Sequence, residues 1–431
     1  MVDMAGSFQS FKGRFNDSVH CMPASIDHVV HPAQGSSLVQ LLGTRPHLLA
    51  VGEPTHGAHG LLELRNDLFR ELVENESYRT ISIESDCLMG RLVDDYVVSG
   101  VGTLDHVLTH GFSHEWGTLD GNRQLVQWMR EHNRRHPVSE AVRFAGFDAP
   151  LEMASAASPR HALTELHAYL ARWVQSDLIP VTGETLDRLL GPDERWTDPD
   201  AMHSPSRSFG RSAEAIELRL VADDLASLLD MQAPRLRAVT ARESWFDAHL
   251  CARTAIGLLR YHYWMADGSA ARMTRLCSLR DSMMAENLLA LAERGPTLIS
   301  AHNSHLQRWK SSMQMWQGSI EWWSAGALVD ARLGADFAFL PTAVGTIERH
   351  DVGPPLPNTV EGHLFSLRSG RSLVDTRTLS EALGPERPDA RVSPWFGYAP
   401  LDPDHLVDND GLLFVDDADH STGYGPAGST D

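Results

Sequence analysis

Apolar residues recur along the chain with two alternating periods. His47-Leu48-Leu49-Ala50-Val51 is a short apolar run closed by Gly52, the pattern of a buried strand. From 59 to 75 the period lengthens. Leu64, Leu68 and Leu72 repeat every four residues, and Leu62, Phe69 and Val73 widen that face, which predicts an amphipathic helix. Thr80-Ile81-Ser82-Ile83 predicts a second strand ending at Glu84, followed by a helix over about 86–98. Strand, helix, strand, helix at this spacing is a βαβ unit and implies a parallel sheet. A helix over 121–136, a strand over 142–147 stopping at Asp148, helices over about 241–265 and 272–294, a strand over 297–301 delivering His302, and a strand over 336–340 extend the series. The pattern predicts an α/β fold with a central, mostly parallel sheet flanked by helices.

Between about 151 and 240 the text changes to Ala-, Leu- and Arg-rich helical stretches broken by a polar loop at 191–212. This predicts a helical insertion capping one face of the sheet and its cleft. The organisation expected is an N-terminal extension (1–45), an α/β body (46–345) carrying that insertion, and a C-terminal segment (346–431). The end of that segment, DNDGLLFVDDADHSTGYGPAGSTD, is acidic and Gly-rich and reads as mobile.

Composition narrows the functional classes. The 431 residues are 42 % hydrophobic and 22 % charged, sufficient for a sizeable buried core. A formal charge of −20 repels phosphate backbones and anionic lipid, so nucleic acid and membrane surfaces are poor partners; a small-molecule substrate and a monomer or small homo-oligomer are expected. Four scattered cysteines (Cys21, Cys87, Cys251, Cys277) exclude a disulfide scaffold and a thiolate zinc site, and suit a cytoplasmic protein. Gly-x-Ser-x-Gly, His-Glu-x-x-His and the P-loop are absent, which argues against a nucleophile-elbow hydrolase. The one Gly-x-Gly-x-x-Gly match (Gly423, Gly425, Gly428) contains Pro426 and has no strand before it.

The informative feature is what lies at the strand ends. In an open parallel sheet, ligands bind beyond the carboxyl ends of the strands. Four strands here end in ionisable groups: Glu53 and His56, Glu84, Asp148, and His302 with His305. Gathering such groups is expensive unless they pair, and clustered titratable groups are what proton-transfer chemistry requires. Ordinary explanations exist for each. Glu53 with His56, and Asp148, could cap loops, Glu84 could satisfy a helix dipole, and Arg65 could snorkel to solvent or point back at Glu53. His302 and His305 could bind zinc, but no further ligands stand at the spacing such a site needs, so no metal is expected. The Trp-rich segment Trp309, Trp316, Trp322 and Trp323 either packs the core or lines an apolar substrate pocket.

Taken together these residues resemble the erythromycin esterase family. The resemblance rests on Gly52-Glu53-Pro54-Thr55-His56-Gly57 with Arg65 nine positions after the histidine, Ile83-Glu84, Trp116-x-Thr118, Phe144-x-Gly146-x-Asp148, Arg280-Asp281-x-x-Met284-Ala285-Glu286-Asn287 and Ala301-His302-Asn303-x-His305, in that order over about 47–345. It implies ester hydrolysis without a serine nucleophile, cofactor or obligatory metal, as in macrolide-lactone opening. His56 matches the general base, Glu53, Arg65, Glu84 and His302 belong to its active-site set, and His305 and Asp148 match motif positions, taken here with Trp309 and Trp316 as substrate-binding. Two departures stand at the pocket: Gly60 replaces an acidic residue four positions after the motif histidine, and the segment after His305 is unusually Trp-rich. The same acid–base set would also serve a biosynthetic cyclisation, elimination or group transfer on a natural-product intermediate. A binding protein that kept the fold without the reaction is the third possibility, and it predicts a broken catalytic set.

Overall fold

The structure, a computed structural model, describes residues 26–152, 155–315, 318–385, 387–393, 395 and 397–419. Five parallel strands, β1 (Leu48–Glu53), β2 (Thr80–Asp86), β3 (Arg143–Asp148), β4 (Thr297–His302) and β5 (Phe337–Leu340), form the central sheet in the spatial order β5-β1-β4-β2-β3. Every residue of β1, β2 and β5 is buried, because helices cover both faces and leave no side of the pleat wet. Five helices follow the periodicity: α1 (His59–Asn75), α2 (Gly90–Ser99, starting four residues later than expected because β2 runs on to Asp86), α3 (Asp120–Arg135), α4 (Arg242–Met265) and α5 (Arg272–Ala292). Gly35–Leu42, Leu104–His110 and Ala325–Leu333 add helices the pattern did not predict. Gly90 starts α2 directly against β3; a Cβ there would lie 2.7 Å from the Gly146 amide nitrogen.

Strand order positions the site. β4 is late in sequence but inserts between β1 and β2, so Glu53 and His302 end two adjacent strands directly opposite in register, and Glu84 stands two residues before the end of the third, which runs on to Asp86. The β2–β3 register shifts between Ile83 and Asp86, an irregularity that re-aims the end of β2 where Glu84 sits.

The described part of the C-terminal segment is built into the rest of the chain, and one expectation about it is corrected. A second, four-stranded sheet is built from Val30–Pro32, Arg371–Val374, Leu412–Asp417 and Thr342–Thr346, so it draws on the N-terminal extension, the body and the C-terminal segment together. Leu412–Asp417, read from composition as part of a mobile tail, is a strand in which Leu412, Leu413 and Phe414 are fully buried; four consecutive apolar residues outweigh the acidic average around them. Residues 420–431 lie outside the described residues.

The helical insertion leaves the sheet at the carboxyl end of β3. Arg160–Trp173, Gly183–Leu190 and Ala213–Met231 share one apolar core with α4, through Leu166, Leu189, Leu225 and Leu259 among others, so this block runs past 240 to Met265. After β4, Lys310–Met315 and Gly318–Trp323 pair as an antiparallel hairpin. No helix among the described residues is long and apolar enough to cross a membrane.

Candidate active site

The loop Pro54-Thr55-His56-Gly57 joins β1 to α1, and Gly57 takes the left-handed turn (φ +78°) that brings the chain into the helix. The C-terminal segment holds this loop in place. Trp395 Nε1–H donates to Thr55 Oγ1 at 2.9 Å, and the Ala399 amide donates to the Pro54 carbonyl at 2.7 Å. His56 Nδ1 lies 2.7 Å from Glu53 Oε1, which places a proton on Nδ1 and leaves Nε2 as the free nitrogen. That Nε2 faces Glu84 Oε1 across 3.9 Å, and 39 % of the side chain is accessible. Burial disfavours the imidazolium, but Glu84 and Glu53 outweigh it and raise His56 above its ordinary value. The rings of Trp116 and His302 each stand 5.1 Å from that of His56.

Glu84 is the hub of the cluster. Its Oε1 lies 3.4 Å from His305 Nε2 and 3.3 Å from Arg280 Nη2, and its Oε2 accepts the His302 amide at 2.9 Å. Burial penalises the carboxylate, but His305, His56 and Arg280 together hold it well below the usual carboxylate range. His305 is clamped on its other side by Asp281 at 2.8 Å. Burial opposes its charge, yet Asp281 and Glu84 raise it to about 9, so it is an imidazolium at neutral pH. Asp281 also accepts from Trp322 Nε1 at 3.0 Å and the Ala325 amide at 3.1 Å, which fixes its position.

His302 behaves differently. Its Nε2 is 3.2 Å from the Gly397 carbonyl, which can only accept, so Nε2 carries the proton. Its Nδ1 accepts at the start of the short helix Asn303–Leu306, 2.6 Å from Ser304 Oγ. Burial, and then His56, push it down to about 4, so it is neutral with both nitrogens engaged.

Asp148 ends β3 fully buried, 2.6 Å from Arg280 Nη2 and 3.5 Å from His114 Nε2. Burial raises its proton affinity, but Arg280 and His114 prevail and hold it low. His114 sits in a left-handed conformation (φ +56°) and reaches Glu152 at 2.5 Å.

The structure therefore brings Glu53, His56, Glu84, Asp148, His302 and His305 to one edge of the sheet. Arg65 is buried beside them but bonds neutral partners, Asn66 Oδ1 and Asn122 Oδ1, each at 2.8 Å. Burial lowers it to about 10 against the pull of Glu53. Arg280, not Arg65, bridges Glu84 and Asp148. Trp309 stacks on His405 at 4.2 Å, and Trp316 lies outside the described residues. Arg280 and Asp281 join the site from the middle of α5, far from any strand end, so their spacing in the sequence carries no sign of these contacts. His114, Glu152 and Gly397 carried no periodic signal at all. The Gly60 departure has a structural reason: its amide donates to the Ala418 carbonyl at 2.8 Å, and a Cβ would lie 3.0 Å from that oxygen. Docking of the C-terminal strand occupies the space a side chain would need. No group of three His, Cys, Asp or Glu side chains among the described residues is arranged to hold a metal ion.

Fold and site together define an α/β protein with a histidine–carboxylate cluster at the carboxyl edge of a parallel sheet. The sequence matches the erythromycin esterase family over residues 73–415, and the chain belongs to that family, which makes it an esterase-like hydrolase. The match starts beyond Glu53, His56 and Arg65. Among solved structures, a Bacillus cereus protein is similar with a TM-score of 0.68 at 16 % identity, covering 90 % of this chain and 95 % of the other. A succinoglycan biosynthesis protein is similar at 0.68 and 16 %, covering 91 % and 95 %. A variant of erythromycin esterase EreC in its open conformation follows at 0.62 and 16 %, covering 88 % and 92 %.

Proposed function

We propose that this protein hydrolyses a carboxylic ester or lactone by general-base activation of water at His56. The observation that carries the reading is the geometry of that one ring, with Nδ1 held by Glu53 at 2.7 Å and Nε2 unbonded above Glu84 at 3.9 Å. A water near Nε2 gives up a proton to it as its oxygen attacks the carbonyl carbon. Collapse of the tetrahedral species breaks the C–O bond, and the same proton passes to the leaving alkoxide, giving an acid and an alcohol. Glu53 and Glu84 stabilise the transient imidazolium, and such a positioned base contributes about 10²–10⁴-fold. Arg280 and His305 keep Glu84 ionised for that purpose. His302, neutral and bonded to Gly397, shapes the wall beside His56 and does not exchange protons.

The test is mass spectrometry of products formed in ¹⁸O-labelled water from macrolides, simple lactones and activated esters. Macrolides belong in the panel because a structurally similar protein is an erythromycin esterase. Label in a product, lost in His56→Asn, supports the reading. Turnover by His56→Asn within about tenfold of wild type sinks the base assignment. A product formed without label points instead to elimination, cyclisation or group transfer by the same residues.

A further inference from the structure

A second cavity, of about 440 Å³, lies along the open edge of β3, between α2, the start of α4 and the end of α5. Its charged lining is four arginines (Arg91, Arg143, Arg253, Arg294) and four acids (Asp94, Asp95, Glu243, Asp247). The acids are largely committed. Asp94 takes Arg143 through Nε at 3.0 Å and accepts the Phe144 amide at 2.9 Å, and Glu243 lies 3.7 Å from the same guanidinium. Asp247 takes Arg91 at 3.0 Å, and Asp95 is exposed at the rim.

Arg253 and Arg294 have no carboxylate partner among the described residues. The Arg253 guanidinium donates from Nε to Asn287 Oδ1, at 2.5 Å, and among the described residues its two Nη groups have no partner. The Arg294 guanidinium makes no hydrogen bond among the described residues and lies 4.9 Å from the Phe246 ring centroid. Burial lowers Arg253 against the pull of Glu286, and it lowers Arg294, with Arg143 adding to it, against the pull of Asp94, Asp247 and Glu243. A guanidinium without a carboxylate partner offers a fork of donors that fits a planar carboxylate. Val98, Phe144, Phe246, Leu250 and Leu291 give the wall an apolar part, beside the polar Ser99 and Asn287. The volume falls within the roughly 300–1,000 Å³ of small-molecule sites.

We propose that this cavity is a binding site for a small organic carboxylate, its head between Arg253 and Arg294 and its apolar body against Phe246 and Phe144. The site is separate from the His56 cluster and does not depend on the hydrolytic reading. Asn287 ties it to the sheet, donating to the Phe147 carbonyl at 3.0 Å, one residue before Asp148.

The experiment is isothermal titration of the full chain with benzoate and hexanoate, with benzamide, hexanamide and inorganic phosphate as comparison probes. Saturable one-to-one binding of a carboxylate but not its amide is expected, retained in His56→Asn and weakened about tenfold or more in Arg294→Met, the loss of one charge-assisted pair. Arg294→Met removes no hydrogen bond and should fold as wild type; Arg253→Met, checked by its melting temperature, is the second variant. The proposal is overturned if the folded wild type binds neither carboxylate, if phosphate binds and they do not, or if their binding survives both arginine substitutions or disappears in His56→Asn.

Discussion

Replacing Glu53 by Gln isolates what its charge does for His56. The amide oxygen keeps an acceptor near Nδ1, so the ring's position is retained while the negative charge is removed. At the observed separation of 2.7 Å, and with water-like screening because more than a third of the imidazole is accessible, the lost attraction is about 1.5 kcal/mol. That is slightly more than tenfold in the protonation equilibrium of the ring. His56 is raised in the wild type, and a general base works only when neutral, so kcat/KM should climb with pH through a midpoint above the ordinary imidazole value of 6.5. In Glu53→Gln that limb should move to lower pH, while kcat falls because the imidazolium formed in the transition state has lost a partner. The assay is the pH profile on any ester the wild type turns over, paired with NMR titration of the His56 ring, its resonance identified by its absence in His56→Asn. A ring titration that stays in place or moves to higher pH in Glu53→Gln refutes the electrostatic role of Glu53, whatever happens to the rate.

Other outcomes follow from the same geometry. Arg280→Met strands Glu84 and Asp148 in the interior, and breaking buried pairs of this kind costs about 3–5 kcal/mol, read as a fall in the chemical-denaturation midpoint. His305 is raised to about 9 in the fold, so its ion pairs stabilise fully below its unfolded value near 6.5 and are lost as pH rises through about 9. His305→Gln should remove that alkaline decline from melting temperatures measured across the range. Gly60→Asp should destabilise by about 1–3 kcal/mol, because its side chain meets the Ala418 backbone; an unchanged melting temperature would show that the C-terminal strand can shift aside.

Much of the α/β body was legible because its signals are local. The period of Leu64, Leu68 and Leu72 gives α1 its bounds, and the apolar runs before Glu53, Glu84, Asp148 and His302 mark strands whose ends carry the chemistry. Alternation and periodicity report burial, and burial within one element is written in consecutive residues. The second sheet lacked such a signal: its strands are short, and one lies in an acidic stretch whose average hides Leu412 to Val415.

What sequence alone determined, then, is which residues end the strands of a parallel sheet and that they are histidines and carboxylates. Only the tertiary structure decided their protonation. His302 is neutral because burial and His56 outweigh the groups that would charge it, and His305 is cationic because Asp281 and Glu84 outweigh burial; these partners stand far from the two histidines in the chain. Tertiary packing likewise gave the bridging of Glu84 and Asp148 to Arg280 rather than Arg65, and left Arg253 and Arg294 facing a cavity with no carboxylate in salt-bridge contact with either among the described residues. The reason is that desolvation and Coulomb energy act over a few ångströms of space, and distance along the chain says little about which charges will share it.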